Sequence, residues 1–181
     1  MIRFIPLILF VLLGVLLYRG LFLNPQAMPS ALIGKPMPDF TLNTLLDPEK
    51  HVTKADLQGN IVLLNVWATW CPSCQHEHSY LNELSQKGVN IIGLNYKDER
   101  EAALTWLKNL GNPYELTIYD PHGKLGFDLG VYGAPETYLV DQYGVVRYRH
   151  VGIIDDKIWN KTLKPLIEKY SPTTVKVQPK Q

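Results

Sequence analysis

Two cysteines, Cys71 and Cys74, are the only cysteines in this chain of 181 residues, and two residues separate them. A pair at this spacing can close a local disulfide, whereas a framework of disulfides between distant segments is excluded. The same pair can carry out thiol–disulfide exchange, in which one thiolate attacks a disulfide and the second thiol releases the product. The cysteines therefore indicate a redox site.

The elements around the pair predict where it lies. Residues 61–67 form a nearly continuous apolar run, typical of a strand covered on both faces. Residues 74–86 have helical spacing and end at Lys87 and Gly88, which resemble a helix C-terminus. Cys71 then falls at the start of a helix, where free amides and the helix dipole stabilise a thiolate. We expect a lowered pKa and the attacking role for Cys71, and the resolving role for Cys74.

A metal site is the competing interpretation of the same residues. His76 and His78 follow Cys74, and Cys71, Cys74 and His78 share one helical stripe. A structural zinc site requires four ligands, and a cysteine at a helix start suits redox chemistry better. We expect His76 to be solvated, His78 to pack beside the site, and the chain to need no metal or cofactor. A non-catalytic Cys/His carrier of metal or haem stays as an alternative.

The remaining pattern alternates strands and helices. Asp98 followed by Glu101 resembles a capping box and predicts a helix that ends at Gly111. The other expected elements are buried or short strands, a hairpin and a final helix, at residues 89–96, 117–119, 137–140 with 145–151, and 155–170. Parallel strands joined by helices and finished by a hairpin predict an α/β sheet covered on both faces.

The N-terminus predicts a membrane anchor. Residues 4–23 are mostly apolar and reach the roughly 20 residues of a spanning helix if Arg19 extends toward a headgroup. No A-x-A-like cleavage site follows the apolar run, so we expect an uncleaved signal-anchor at residues 1–23 and not a buried core helix. Arg3 and Arg19 place one positive charge near each end of the apolar segment, so the positive-inside rule does not decide its orientation. We expect the N-terminus inside, because short N-terminal anchors generally adopt that orientation.

Composition divides the rest of the chain. Residues 24–38 contain four prolines and predict a linker, residues 39–170 the folded domain, and residues 171–181 a flexible tail. The chain has 18 basic and 17 acidic side chains, for a net charge of +1. Such a balance offers no field that would hold a polyanion, so nucleic-acid binding is excluded.

Three segments carry a resemblance to a known family. The sequence WCPSC at 70–74 after a buried strand, with GAPET at 133–137, resembles the thioredoxin superfamily. With residues 95–100, 111–114 and 130–137, nearly the whole chain resembles the cytochrome c maturation oxidoreductases, the CcmG/DsbE family. The resemblance implies a thioredoxin-like fold, with a central mixed sheet flanked by helices, behind an N-terminal transmembrane anchor.

The resemblance also implies a function and partners. It implies a single-pass protein of the bacterial inner membrane whose periplasmic domain reduces, or resolves, disulfides in the Cys-x-x-Cys-His haem-binding motif of apocytochrome c. A reductase in an oxidising compartment must itself be reduced, which implies a membrane electron donor of the DsbD or CcdA type. Contact with the haem-ligation machinery is a further implied partnership.

Several site residues follow from the resemblance alone. It implies that Pro135 is a cis-proline whose neighbouring backbone pairs with an extended substrate strand. It places Glu136 in the substrate groove, although an acid at a strand entrance, taken singly, is typically solvated. Trp70 and Tyr132 are expected to form groove wall.

A functional acid is implied at Glu77, three residues after Cys74. Partial burial would raise the pKa of Glu77 and let it exchange a proton with Cys74. Ordinary thioredoxins carry an acid on the buried strand, but the corresponding residue here is Asn65, which cannot titrate. Glu77 is therefore expected to replace that acid.

Two further functions stay open. One is a general thioredoxin-like reductase or a peroxidase. A peroxidase typically needs an arginine beside its reactive cysteine, and no arginine lies close to Cys71 in sequence, which argues against a peroxidase. The other is the metal or haem carrier described above. The sequence also leaves the direction of electron flow open, because potentials within this fold span roughly 150 mV.

Overall fold

The computed structural model describes residues 4–20 and 32–171. Helix α1, Ile5–Gly20, has 16 residues, and its described apolar side chains, such as Phe10 and Leu16, are exposed. Within the described ranges, no helix combines the length and apolarity that crossing a membrane requires. Residues 1–3 and 21–31, which belong to the expected anchor and linker, and most of the expected tail lie outside the described residues.

A five-stranded mixed sheet forms the centre of the folded domain. Its strands are β3, β4, β5, β6 and β7, at Val62–Trp67, Ile91–Tyr96, Leu116–Asp120, Glu136–Val140 and Val146–Val151. They lie in the order β5-β4-β3-β6-β7. Strands β3, β4 and β5 are parallel, β6 is antiparallel to β3, and β7 is antiparallel to β6. The expected buried strands and the closing hairpin are confirmed.

Helices connect these strands and cover both faces. They are α2, α3, α4, α5 and α6, at Pro72–Gln86, Arg100–Leu110, Lys124–Leu129, Asp156–Ile158 and Lys164–Tyr170. A π-helical segment, Trp159–Leu163, joins α5 to α6, so the expected final helix is present but widens in its middle. The sequence did not predict α4, or the small hairpin of β1, Thr41–Asn43, and β2, His51–Thr53.

The predicted helix before Gly111 is present, but the prediction that a capping box at Asp98 begins it is wrong. Helix α3 begins at Arg100, and Glu99 precedes it without a capping hydrogen bond from its side chain. The Asp98 carboxylate accepts hydrogen bonds from Thr69 and Asn95 instead. The partners of Asp98 therefore include a residue that is distant in sequence.

Alternating side chains of β3 divide the core. Leu64 and Val66 join an apolar cluster on one face of the sheet. Leu63 and Trp67 join a second cluster on the face that α2 covers, together with both cysteines. Asn65 lies between Leu63 and Trp67 on the strand and is completely buried, so the α2 face contains a polar group directly in its centre.

Candidate active site

Cys71 is the N-cap residue of α2 and adopts an extended backbone, with Pro72 in the first helical turn. Its Sγ accepts a hydrogen bond from the Cys74 backbone amide at 3.1 Å. Cys71 and Cys74 form a disulfide with their Cα atoms 5.3 Å apart. The local disulfide and its place at the helix start are confirmed. The amide directed at Sγ would stabilise a Cys71 thiolate after reduction.

Glu77 lies on the inward face of α2 and is almost completely buried. One carboxylate oxygen accepts a hydrogen bond from Asn65 Nδ2 at 2.9 Å, and the other accepts one from the Ile154 amide at 2.9 Å. Burial raises the pKa of Glu77 to about 7, because desolvation of the carboxylate outweighs these two hydrogen bonds. Glu77 is therefore buried with a raised pKa, as its expected role requires, and the proton exchange with Cys74 stays a prediction.

Asn65 connects Glu77 to two further polar groups. Its Nδ2 also donates to Thr137 Oγ1 at 3.1 Å, and its Oδ1 accepts from the Tyr114 hydroxyl at 2.9 Å. The Tyr114 hydroxyl stays protonated, since burial raises its pKa well above the ordinary value. Tyr114 therefore fixes the orientation of the Asn65 amide, and the sequence did not indicate either partner.

Pro135 lies at the same end of the sheet as the disulfide. The Ala134–Pro135 peptide bond is cis, as the resemblance implies, and Pro135 is buried. The next residue, Glu136, pairs with Val66 of β3, close to the point where that strand leads toward Cys71. The prediction that this loop binds a substrate strand is untested.

Glu136 is not the solvated acid that its position alone suggested. It is buried, and its carboxylate accepts two hydrogen bonds from the Arg149 guanidinium, each at 2.9 Å. The same carboxylate accepts hydrogen bonds from the backbone amides of Tyr132 and Gly133. The Glu136 side chain therefore holds the loop before the cis-proline, and any contact with substrate would have to come from its backbone.

Two aromatic side chains near this loop and the disulfide are exposed. The side chain of Trp70 is 53% exposed and that of Tyr132 is 77% exposed. The Trp70 indole donates to the Lys97 carbonyl at 2.9 Å, and the Arg149 guanidinium lies 5.4 Å from the Tyr132 ring centre. Both rings are accessible to a protein substrate, as expected for groove wall, and that role stays a prediction.

His78 is buried and both of its ring nitrogens have partners. Trp106 Nε1 donates to Nδ1 at 3.3 Å, so Nε2 is the nitrogen that donates to the Gly111 carbonyl at 2.8 Å. Burial lowers the pKa of His78, which favours this neutral form. The carrier alternative therefore lacks its histidine ligand in this arrangement. His76 is exposed, as expected.

Similar proteins support the redox interpretation of this geometry. A family model described as Redoxin matches residues 32–163. The thiol:disulfide interchange protein DsbE of Pseudomonas aeruginosa is 53% identical over 164 residues, which cover 91% of each chain. DsbE of Escherichia coli is 52% identical over 174 residues, which cover 92% of this chain and 94% of that one.

A solved structure has the same fold. A protein from Chlorobium tepidum, assigned as a thiol:disulfide interchange protein DsbE, superimposes with a TM-score of 0.64 at 27% identity. The match covers 76% of this chain and 96% of that chain. The chain is a thiol-disulfide oxidoreductase, and its Cys71–Cys74 disulfide lies at a helix start beside a mixed sheet. The chain belongs to the Redoxin family and, within it, to the DsbE thiol:disulfide interchange proteins.

Proposed function

We propose that this oxidoreductase works as a reductase in cytochrome c biogenesis, acting on the Cys-x-x-Cys-His haem-binding motif of apocytochrome c. One observation carries the proposal: the N-cap disulfide shares α2 with a buried carboxylate whose pKa is about 7. This pairing occurs in a chain that is 53% identical to a DsbE protein over 91% of its length. The resemblance to the cytochrome c maturation oxidoreductases supplies the substrate class.

In the reduced protein, the Cys71 thiolate attacks one sulfur of the substrate disulfide. A mixed disulfide forms, and the other substrate sulfur leaves as a thiolate. The Cys74 sulfur then attacks Cys71, breaks the mixed disulfide and releases the second substrate thiolate. Two electrons pass to the substrate, which takes up two protons, and the Cys71–Cys74 disulfide is regenerated.

Glu77 would assist the second step. Cys74 is a nucleophile only as a thiolate, and an ionised Glu77 three residues away on the same helix face can accept its proton. With a pKa of about 7, Glu77 is ionised in part of the molecules at neutral pH and can release the proton again. A membrane donor of the DsbD or CcdA type would then reduce the disulfide.

The cis-proline loop would bind the substrate as an extended strand. The Glu136 carboxylate, which Arg149 holds in place, accepts hydrogen bonds from the amides of residues 132 and 133, so the loop is preformed before substrate binds. A preformed edge lowers the entropic cost of strand pairing. Trp70 and Tyr132, both exposed, would contact the residues beside the substrate cysteines.

We further propose that residues 1–23 anchor the chain in the bacterial inner membrane, with the folded domain in the periplasm. The exposed apolar side chains of α1, Ile5–Gly20, and the apolar residues on either side of it support this. Membrane fractionation with added protease tests the proposal. The folded domain should sediment with membranes and be digested in spheroplasts but not in intact cells, and a freely soluble protein would contradict the anchor.

The substrate assignment is tested with the full chain in detergent. Its equilibrium with glutathione gives the potential, and exchange rates are compared for an oxidised Cys-x-x-Cys-His peptide and a scrambled peptide with the same disulfide spacing. A potential below that of glutathione and at least tenfold faster exchange with the first peptide would support the proposal. Equal rates would indicate a general reductase, and a strongly oxidising potential would indicate a disulfide donor.

A further inference from the structure

Two residues between β3 and the reactive cysteine are held by a loop that is distant in sequence. The Thr69 amide donates to Asp98 Oδ2 at 2.7 Å, and the Thr69 hydroxyl donates to Asp98 Oδ1 at 2.6 Å. The next residue, Trp70, donates its indole N–H to the Lys97 carbonyl at 2.9 Å. The turn that precedes Cys71 is therefore attached to the loop between β4 and α3.

The Asp98 carboxylate is held by hydrogen bonds on both of its oxygens. Two further donors, Asn95 Nδ2 at 2.8 Å and the Glu99 amide at 2.9 Å, complete four hydrogen bonds to its carboxylate. Asp98 is only 9% exposed. Hydrogen bonds to a carboxylate are stronger than those between neutral groups, and burial weakens competition from water. The carboxylate is consequently fixed in position.

Lys97 shows that the loop conformation is constrained. Its φ is 49°, in the left-handed region that residues with a Cβ rarely adopt. Such a conformation persists only where the surrounding contacts determine it. Residues in such conformations often cluster at functional sites. The Lys97 amide donates to the Asp120 carbonyl, and its own carbonyl accepts from Trp70. Both sides of the unusual residue are thus engaged.

We propose that Asp98 is a positioning residue for thiol–disulfide exchange, which fixes the Thr69–Trp70 turn and thereby the attacking sulfur of Cys71. The Cys71 amide donates to the Ala68 carbonyl across this turn at 3.3 Å, so displacement of Thr69 would displace Cys71. Asp98 also places a negative charge beside the start of α2. That charge opposes a thiolate at Cys71 and favours the uncharged disulfide.

Asp98 therefore has two separate effects, one on the redox equilibrium through its charge and one on the reaction rate through its hydrogen bonds. Its charge keeps the Cys71–Cys74 couple reducing, because it destabilises the form that carries a thiolate. Its hydrogen bonds keep the sulfur in place for attack, which speeds the formation of the mixed disulfide. A purely structural residue would affect stability and change neither quantity at a temperature where the protein is folded.

The test compares Asp98→Asn with Asp141→Asn in the full chain. Asp141 is a matched control because it is also a buried carboxylate, accepts hydrogen bonds from the Tyr143 and Val145 amides, and holds the β6–β7 turn at the other end of the sheet. The measurements are the equilibrium constant with glutathione, the rate of mixed-disulfide formation with an oxidised peptide, and the indole N–H resonance of Trp70, assigned with Trp70→Phe.

We expect Asp98→Asn to shift the glutathione equilibrium toward the dithiol form by about three- to tenfold, because a nearby negative charge is removed, and to shift the Trp70 resonance. The rate of mixed-disulfide formation should fall in Asp98→Asn. Asp141→Asn should leave the equilibrium constant and the rate within twofold of the wild type and the Trp70 resonance unshifted. An unchanged equilibrium and resonance in folded Asp98→Asn would overturn the proposal.

A second variant keeps the charge and removes one contact. Thr69→Val has the shape of threonine but lacks the hydroxyl that donates to Asp98. We expect slower mixed-disulfide formation with an equilibrium constant within twofold of the wild type, since this variant keeps the Asp98 carboxylate. If Asp98→Asn fails to fold, this variant decides, and an unchanged rate in Thr69→Val would then overturn the proposal.

Discussion

The amide of Asn65 and the carboxylate of Glu77 are in hydrogen-bond contact at 2.9 Å between β3 and α2. The strand contributes a group that cannot titrate, and the helix contributes one that can. Because Tyr114 donates to the other end of the Asn65 amide, the NH₂ group of Asn65 is directed at Glu77. The buried carboxylate of this site thus belongs to the same helix as both cysteines.

Replacing Glu77 by Gln should change how stability depends on pH. Burial raises the pKa of Glu77 to about 7 in the folded protein from 4.5, so the folded state binds the extra proton between these values. The wild type should therefore lose about 2 to 3 kcal/mol of unfolding free energy as pH rises from 4.5 to 7, relative to Glu77→Gln. Urea unfolding at several pH values measures this.

The same variant should flatten the pH dependence of the resolving step between pH 6 and 8, because Cys74 would lose its proton acceptor. Glu83→Gln is the control, since Glu83 is an exposed acid on the same helix. An unchanged pH profile in Glu77→Gln would remove the proposed role of Glu77, whatever the stability measurements give.

Replacing Arg149 by Lys should destabilise the loop before the cis-proline. Lysine cannot reproduce the two parallel hydrogen bonds to Glu136, so the buried carboxylate would lose part of its compensation. We expect a loss of about 1 to 3 kcal/mol in unfolding free energy, and weaker substrate binding.

The comparison for that variant is Arg147→Lys. Arg147 pairs with Asp141 but its side chain is 30% exposed, so solvent can replace the lost contact. Equal losses in both variants, measured by urea unfolding, would show that the buried pair has no special contribution.

Replacing Cys74 by Ser should trap the first covalent step. The remaining Cys71 thiol can attack an oxidised peptide, but no second thiol can release the product. We expect a mixed disulfide with a one-to-one mass, which a reductant reverses. Cys71→Ser should form at least tenfold less of it, and the reverse pattern would assign the attacking role to Cys74.

Replacing Gly126 by Ala should destabilise the packing of α4. A Cβ there would clash with the ring of Tyr96, which cannot move freely within the core. We expect a loss of about 1 to 3 kcal/mol in unfolding free energy. Gly133→Ala is the control, because a Cβ at Gly133 meets open space. Similar stability of the two variants would contradict the observed packing.

Short-range patterns predicted the frame of the site. The buried run at 61–67, the start of α2 at Cys71 and the β6–β7 hairpin each depend on residues within a few positions of one another. The cis-proline, the thioredoxin-like fold and the importance of Glu77 came from the resemblance to a family. Residue types and spacing alone left Glu136 as a solvated acid.

The sequence by itself determined that two cysteines lie one helical turn apart at the end of a buried strand, because strand burial and helix starts have local signatures. Only the tertiary structure decided the partners of the charged groups. Asp98 meets Thr69 across 29 positions, and Glu136 meets Arg149 across 13. Such contacts depend on strand register and on the packing of helices against the sheet, and a buried carboxylate takes whichever donors that packing brings within reach.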